Sequence, residues 1–173
     1  MSKEKIKETF KKFDYNGNGI LSLAEIDKAA IELCPQFADE KPVLLRAYKA
    51  ADASKDGFIQ LKEFDRLIDL LYYYDEVYHI FQQLDKNKDK RISFEEFNKG
   101  HEFVGLQNRS ADEFKKDFDE IDTNKEGYIL FEELCIYVVK KKLVPSESEL
   151  ICAKSIYLTE TNRITRLRIC KFF

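Results

Sequence analysis

Asp14, Asn16 and Asn18 stand at alternate positions, Ser22 follows, and Glu25 closes a span of twelve residues, D-Y-N-G-N-G-I-L-S-L-A-E. Such a run makes a poor buried strand, because its polar face would lack partners, and Asn and Gly disfavour helix interiors. Oxygens crowded in this way suit a hard cation. Ca²⁺ takes about 6–8 oxygen ligands at about 2.3–2.6 Å, which no local backbone pattern supplies alone.

The span recurs three times: D-A-S-K-D-G-F-I-Q-L-K-E over 52–63, D-K-N-K-D-K-R-I-S-F-E-E over 85–96, and D-T-N-K-E-G-Y-I-L-F-E-E over 122–133. The elements that must position these spans are written on either side. Ile6, Phe10 and Phe13 precede the first, and Ile26, Ala30 and Leu33 follow it, at helical spacing. Leu44, Ala47, Tyr48 and Ala51 precede the second; Phe64, Leu67, Ile68 and Leu71 follow. Phe81 and Leu84 precede the third, and Phe97 follows. Phe114, Phe118 and Ile121 precede the fourth; Leu134, Tyr137 and Val138 follow. Pro42 suits a first helical turn. Ser110 with Glu113 reads as a capping box. Gly100 and Gly105 read as loosening the link between the third and fourth units, and Pro145 ends the repeats.

Helix, twelve-residue loop and helix, four times over residues 3–143, resembles the EF-hand superfamily. The resemblance implies an all-α fold: four helix-loop-helix units paired into two lobes over 1–72 and 73–144, with short antiparallel β bridges between paired loops and a tail over 145–173. It also implies ligands at loop positions 1, 3, 5, 7, 9 and 12, with Gly turning at 6. In loop one these are Asp14, Asn16, Asn18, the Ile20 carbonyl, Ser22 through a water, and Glu25, with Leu21 bridging inward. In loop two they are Asp52, Ser54, Asp56, the Phe58 carbonyl, Gln60 and Glu63, with Ile59 bridging. Loop three supplies Asp85, Asn87, Asp89, the Arg91 carbonyl, Ser93 and Glu96. Loop four supplies Asp122, Asn124, Glu126, the Tyr128 carbonyl and Glu133.

Two loops depart from the pattern. Loop three has Lys90 where the turn wants Gly, and Lys86, Lys88 and Arg91 add like charge. In loop four Glu126 is one methylene longer than Asp, and Leu130 at position 9 brings no oxygen. Loops one and two are expected to hold Ca²⁺ best, loop three more weakly, and loop four is the least suited.

The 173 residues suit one compact domain or two small lobes, and a net charge of −3 argues against a bulk nucleic-acid binder. Cys34, Cys135, Cys152 and Cys170 form no C-x-x-C pair and fit a reduced, cytoplasmic chain; Cys34 and Cys135 read as core. The start M-S-K-E-K shows no signal-peptide pattern. His79 and His101 read as ordinary surface or helix residues. No nucleophile motif, phosphate loop or His–carboxylate constellation supports an enzyme. The two functions left are a Ca²⁺-responsive interaction protein, a sensor with a protein target, and a Ca²⁺ buffer that barely opens. Met1 is the one methionine, whereas 14 Phe and 9 Tyr suit a specific groove or a closed core.

Residues 64–84 are long enough for two helices of about three turns each, which favours adjoining lobes over a long exposed rod. R-A-Y-K-A-A-D-A-S-K-D-G-F-I over 46–59, with L-L-Y-Y-Y-D-E over 70–76, is similar to flagellar calcium-binding proteins of protists, the calflagins. That likeness implies a flagellum-associated or membrane-peripheral setting, although Ser2 stands where those proteins carry an acylated Gly. The tail, net +2 over 146–173 against −5 for the rest, opens with a capping box at Ser146–Glu149 and ends R-I-T-R-L-R-I-C-K-F-F. It is compatible with docking on the chain's own surface, with membrane contact, or with disorder, and C-K-F-F loosely matches a prenylation box. The chain is read as a monomer.

Overall fold

Each repeat folds as the spacing of its apolar residues requires. A computed structural model describes residues 3–100 and 110–140. Helix α1 (Lys3–Phe13) buries Ile6, Phe10 and Phe13, a stripe at i, i+4 and i+7. Strand β1 (Ile20–Leu21) leads into α2 (Leu23–Leu33), which buries Ile26, Ala29, Ala30 and Leu33. A 3₁₀ turn at Pro35–Phe37 precedes α3 (Lys41–Ala51), with Pro42 in its first turn, where the missing N–H has no intrahelical partner to lose. Then come β2 (Ile59–Gln60), α4 (Leu61–Leu84), β3 (Ile92–Ser93), α5 (Phe94–Gly100), α6 (Ala111–Ile121), β4 (Tyr128–Ile129) and α7 (Phe131–Lys140).

The chain divides into two compact units, Met1–Asp75 and Glu76–Phe173. In the first, β1 pairs antiparallel with β2, Ile20 opposite Gln60 and Leu21 opposite Ile59. Leu21 and Ile59 are fully buried, as expected of bridging residues. Phe10 meets Phe64 edge-on at 5.6 Å between ring centroids, and Phe37 meets Tyr72 at 5.3 Å. In the second unit β3 pairs with β4, Ile92 opposite Ile129 and Ser93 opposite Tyr128. Phe118 is the hub there, with Phe94 at 5.3 Å and Phe97 at 5.7 Å. Each fully buried Leu, Ile or Phe contributes about 1.5–3 kcal/mol. Ser110 caps α6 as expected: its hydroxyl accepts from the Glu113 amide at 3.3 Å, and its own amide donates to Glu113 Oε2 at 2.9 Å.

Two expectations are corrected. Residues 64–84 form no helix pair; α4 is one helix of 24 residues. No Gly or Pro interrupts Leu61–Leu84, so nothing breaks its hydrogen-bond ladder. Leu70, Leu71, Tyr73, Tyr74 and Val77 along it are all buried. Gly100, in turn, loosens no link. It ends α5 against Leu84, and a Cβ built there would lie 2.0 Å from Leu84 Cδ2.

Candidate metal centres

The four loops share one hydrogen-bond framework, and the side chains singled out by spacing build it. The first-position carboxylate takes the amides of positions 5 and 6. Asp14 accepts from Asn18 at 3.1 Å and Gly19 at 2.8 Å, Asp85 from Asp89 at 3.2 Å and Lys90 at 2.9 Å, and Asp122 from Glu126 at 3.1 Å and Gly127 at 2.9 Å. Asp52 accepts from the Gly57 amide at 3.0 Å and from the Ser54 hydroxyl at 3.1 Å. Third-position Asn16, Asn87 and Asn124 each accept from the fifth amide. Fifth-position Asn18, Asp56 and Asp89 accept from the seventh amide, those of Ile20, Phe58 and Arg91. Short oxygen-bearing side chains turn the backbone around themselves in this way. The longer Glu126 instead faces the Tyr128 hydroxyl, whose pKa it raises as a hydrogen-bond partner while Arg91 pulls it down.

The twelfth-position Glu closes each loop. Glu63 Oε1 accepts from the amides of Ala53 and Ser54, Glu96 Oε1 from Lys86 and Asn87, and Glu133 Oε1 from Thr123 and Asn124, at 3.0–3.3 Å. The second oxygen takes the ninth amide in all four loops: Ser22 to Glu25 at 2.9 Å, Gln60 to Glu63 at 3.0 Å, Ser93 to Glu96 at 2.9 Å and Leu130 to Glu133 at 2.9 Å. Leu130 therefore seats Glu133 through its amide, although its side chain brings no oxygen. The amide and hydroxyl of Ser22 hold Glu25 below the ordinary carboxylate pKa. Burial works against Glu96, yet Ser93 and the amides of Asn87 and Lys86 still lower it.

Positions 1 and 12 of each loop are thus tied to that loop's own amides, and the seventh-position residues stand at the strands' starts, Ile20 and Tyr128 opening β1 and β4 and Phe58 and Arg91 one residue before β2 and β3. Asp85, Asp122 and Glu133 are 7%, 5% and 6% exposed. A buried carboxylate is costly unless a positive partner answers it. An all-oxygen set of hard donors fits Ca²⁺.

Spacing missed a second left-handed turn. Position 4 has positive φ in every loop: Gly17 at 67°, Lys55 at 57°, Lys88 at 60° and Lys125 at 58°. The sequence has Gly there once and Lys three times, and only the Gly signals such a turn. Lys90 adopts φ 67° in the turn where the other loops carry Gly. Tyr48 was read only as an apolar helix residue. Its hydroxyl donates to the Gly57 carbonyl, and burial, then Asp52 and Asp56, raise its pKa. Cys34 and Cys135 are buried, as expected of core residues. His101, Gly105, Cys152, Cys170 and every expectation for the tail, including membrane contact, self-docking and the prenylation box, lie outside the described residues. Among the described residues, no helix is long and apolar enough to cross a membrane.

Comparison with known proteins agrees with this geometry. Residues 3–68 and 41–102 match the family model of the EF-hand domain pair, and 102–141 match a second model of the same description. The chain is 28% identical to "Flagellar calcium-binding protein TB-17" of Trypanosoma brucei brucei, over 82% of this chain and 66% of that one. It is 25% identical to "Probable calcium-binding protein CML27" of Arabidopsis thaliana, over 83% and 82%. It is 26% identical to "Calerythrin" of Saccharopolyspora erythraea, over 78% and 88%. The chain spans just under two thirds of the length of the flagellar relative.

Proposed function

The chain belongs to the EF-hand family and binds Ca²⁺, and from that premise we propose that it is a Ca²⁺-responsive interaction protein. The ligands we assign are Asp14, Asn16, Asn18, the Ile20 carbonyl, Ser22 and Glu25; Asp52, Ser54, Asp56, the Phe58 carbonyl, Gln60 and Glu63; Asp85, Asn87, Asp89, the Arg91 carbonyl, Ser93 and Glu96; and Asp122, Asn124, Glu126, the Tyr128 carbonyl and Glu133. Bound Ca²⁺ would supply a positive partner to the buried carboxylates Asp85, Asp122 and Glu133.

One observation carries the responsive reading. Each closing Glu is also the third residue of the helix leaving its loop, α2, α4, α5 or α7. Glu63, Glu96 and Glu133 are held at the same time by amides at the loop's start. A change in what holds that carboxylate is therefore transmitted to a helix, and each helix carries a buried apolar face to expose or keep. The buffer reading has an observation of its own, because edge-on aromatic contacts such as Phe10–Phe64 and Phe97–Phe118 lock the helix pairs. Hydrophobic-dye fluorescence with and without Ca²⁺ separates the two. A Ca²⁺-dependent rise supports the responsive protein, and an unchanged signal supports the buffer. The flagellar relative's name motivates a flagellar setting for this chain, which imaging of the tagged full-length chain would test.

A further inference from the structure

Loops three and four are joined by side chains as well as by their strands. Arg91 and Tyr128 both occupy the seventh position, where only the backbone carbonyl is assigned to the ion. Tyr128 pairs with Ser93 across the ladder, which makes it a diagonal neighbour of Arg91, within reach of long side chains. The Arg91 guanidinium carbon lies 4.7 Å from the centre of the Tyr128 ring. The same guanidinium approaches Asp89 Oδ2, on the fifth residue of loop three, at 3.5 Å. The Tyr128 hydroxyl faces Glu126, the fifth residue of loop four. Loops one and two have Ile20 and Phe58 at the seventh position and hold no such cation.

We propose that Arg91 and Tyr128 are positioning residues that couple the two loops, a clasp running Asp89–Arg91–Tyr128–Glu126. This rests on the reading that both loops take Ca²⁺. When loop three is filled, the ion takes over the Asp89 charge and Arg91 loses its anchor. The Tyr128 ring is then no longer pinned, and Glu126 is released to serve loop four. A clasp that holds before the ions bind and is lost on filling either loop makes the second filling easier, so the coupling in this proposal is positive. An exposed cation–π contact is worth about a two- to fivefold change in a binding constant.

The test is a double-mutant cycle on the full chain, read by the Gly127 amide resonance for loop four and the Lys90 amide resonance for loop three during Ca²⁺ titration. Arg91→Leu is expected to lower the loop-four midpoint about two- to fivefold. In a Tyr128→Leu background the same substitution should leave that midpoint unmoved. In a Tyr128→Phe background, which keeps the ring but removes the hydroxyl that holds Glu126, it should again leave the midpoint unmoved. Equal shifts in all three backgrounds would show that Arg91 acts by charge alone and would overturn the clasp. A Gly127 resonance that never moves with Ca²⁺ in any variant would remove loop four as a site, and the coupling with it.

Discussion

Lys90 and Lys88 give loop three two non-glycine residues in the left-handed region, while loops two and four have one each and loop one has none. Each such residue costs about 1–2 kcal/mol. Lys90→Gly is therefore expected to raise Ca²⁺-free stability by about 1 kcal/mol, read as a higher urea midpoint, and to tighten loop three in calorimetry. An unchanged midpoint would show that the loop carries no strain there. Glu96 gives a second residue-scale prediction. Its pKa is depressed in the fold, so its contribution is full above the ordinary carboxylate value and lost as pH falls through the depressed one. Glu96→Gln should destabilise the Ca²⁺-free chain at pH 6 and make no difference once pH is well below that range. At this scale the sequence was highly legible for positions 1, 3, 5 and 12, because side-chain oxygens are visible as residue types. The fourth-position turn was not, since Lys carries no intrinsic signal for positive φ. The amide partners of the closing Glu were hidden because backbone donors are the same at every residue.

Among the elements, helix faces were legible from period alone; nearly every apolar residue placed on a stripe is buried, Tyr48 being half-buried instead. The continuity of α4 was not, because 21 residues accommodate two short helices or one long one equally well. Gly100 was misread because a glycine near a helix end signals a stop, whereas its close approach to Leu84 exists only in the packed unit. Gly100→Ala is expected to lower stability by about 1–3 kcal/mol, a typical cost of overpacking, measured as a lower thermal midpoint. A second element-scale test concerns Glu40, which precedes α3 and meets Asp75 of α4. Burial first, and then the Asp75 hydrogen bond and charge, push its pKa up to about 8. A carboxyl raised in the fold binds its proton there more tightly than in the unfolded chain. The stability of the Ca²⁺-free protein should therefore fall as pH rises from about 4.5 to about 8. Glu40→Gln should flatten that slope; a slope equal to the parent's would remove the pair from the account.

At the scale of the molecule, four loops paired by short antiparallel bridges were implied by the family resemblance that the repeat carries, and one helix-loop-helix cannot bury its own apolar face. The identity of a target was not, because a groove for a partner is read from exposed surface in the ion-bound form rather than from residue spacing. Ion binding to the folded chain alone must stabilise it by mass action, so chelation of Ca²⁺ should lower the thermal midpoint and added Ca²⁺ should restore it. The most direct test of the central claim is a calorimetric Ca²⁺ titration of the full chain beside Glu25→Gln and Glu63→Gln. Each substitution removes a charged oxygen from a closing carboxylate, and each should abolish or markedly weaken one binding step while leaving the others. Two variants that match the parent in both stoichiometry and affinity would contradict the assignment of these loops as the metal centres.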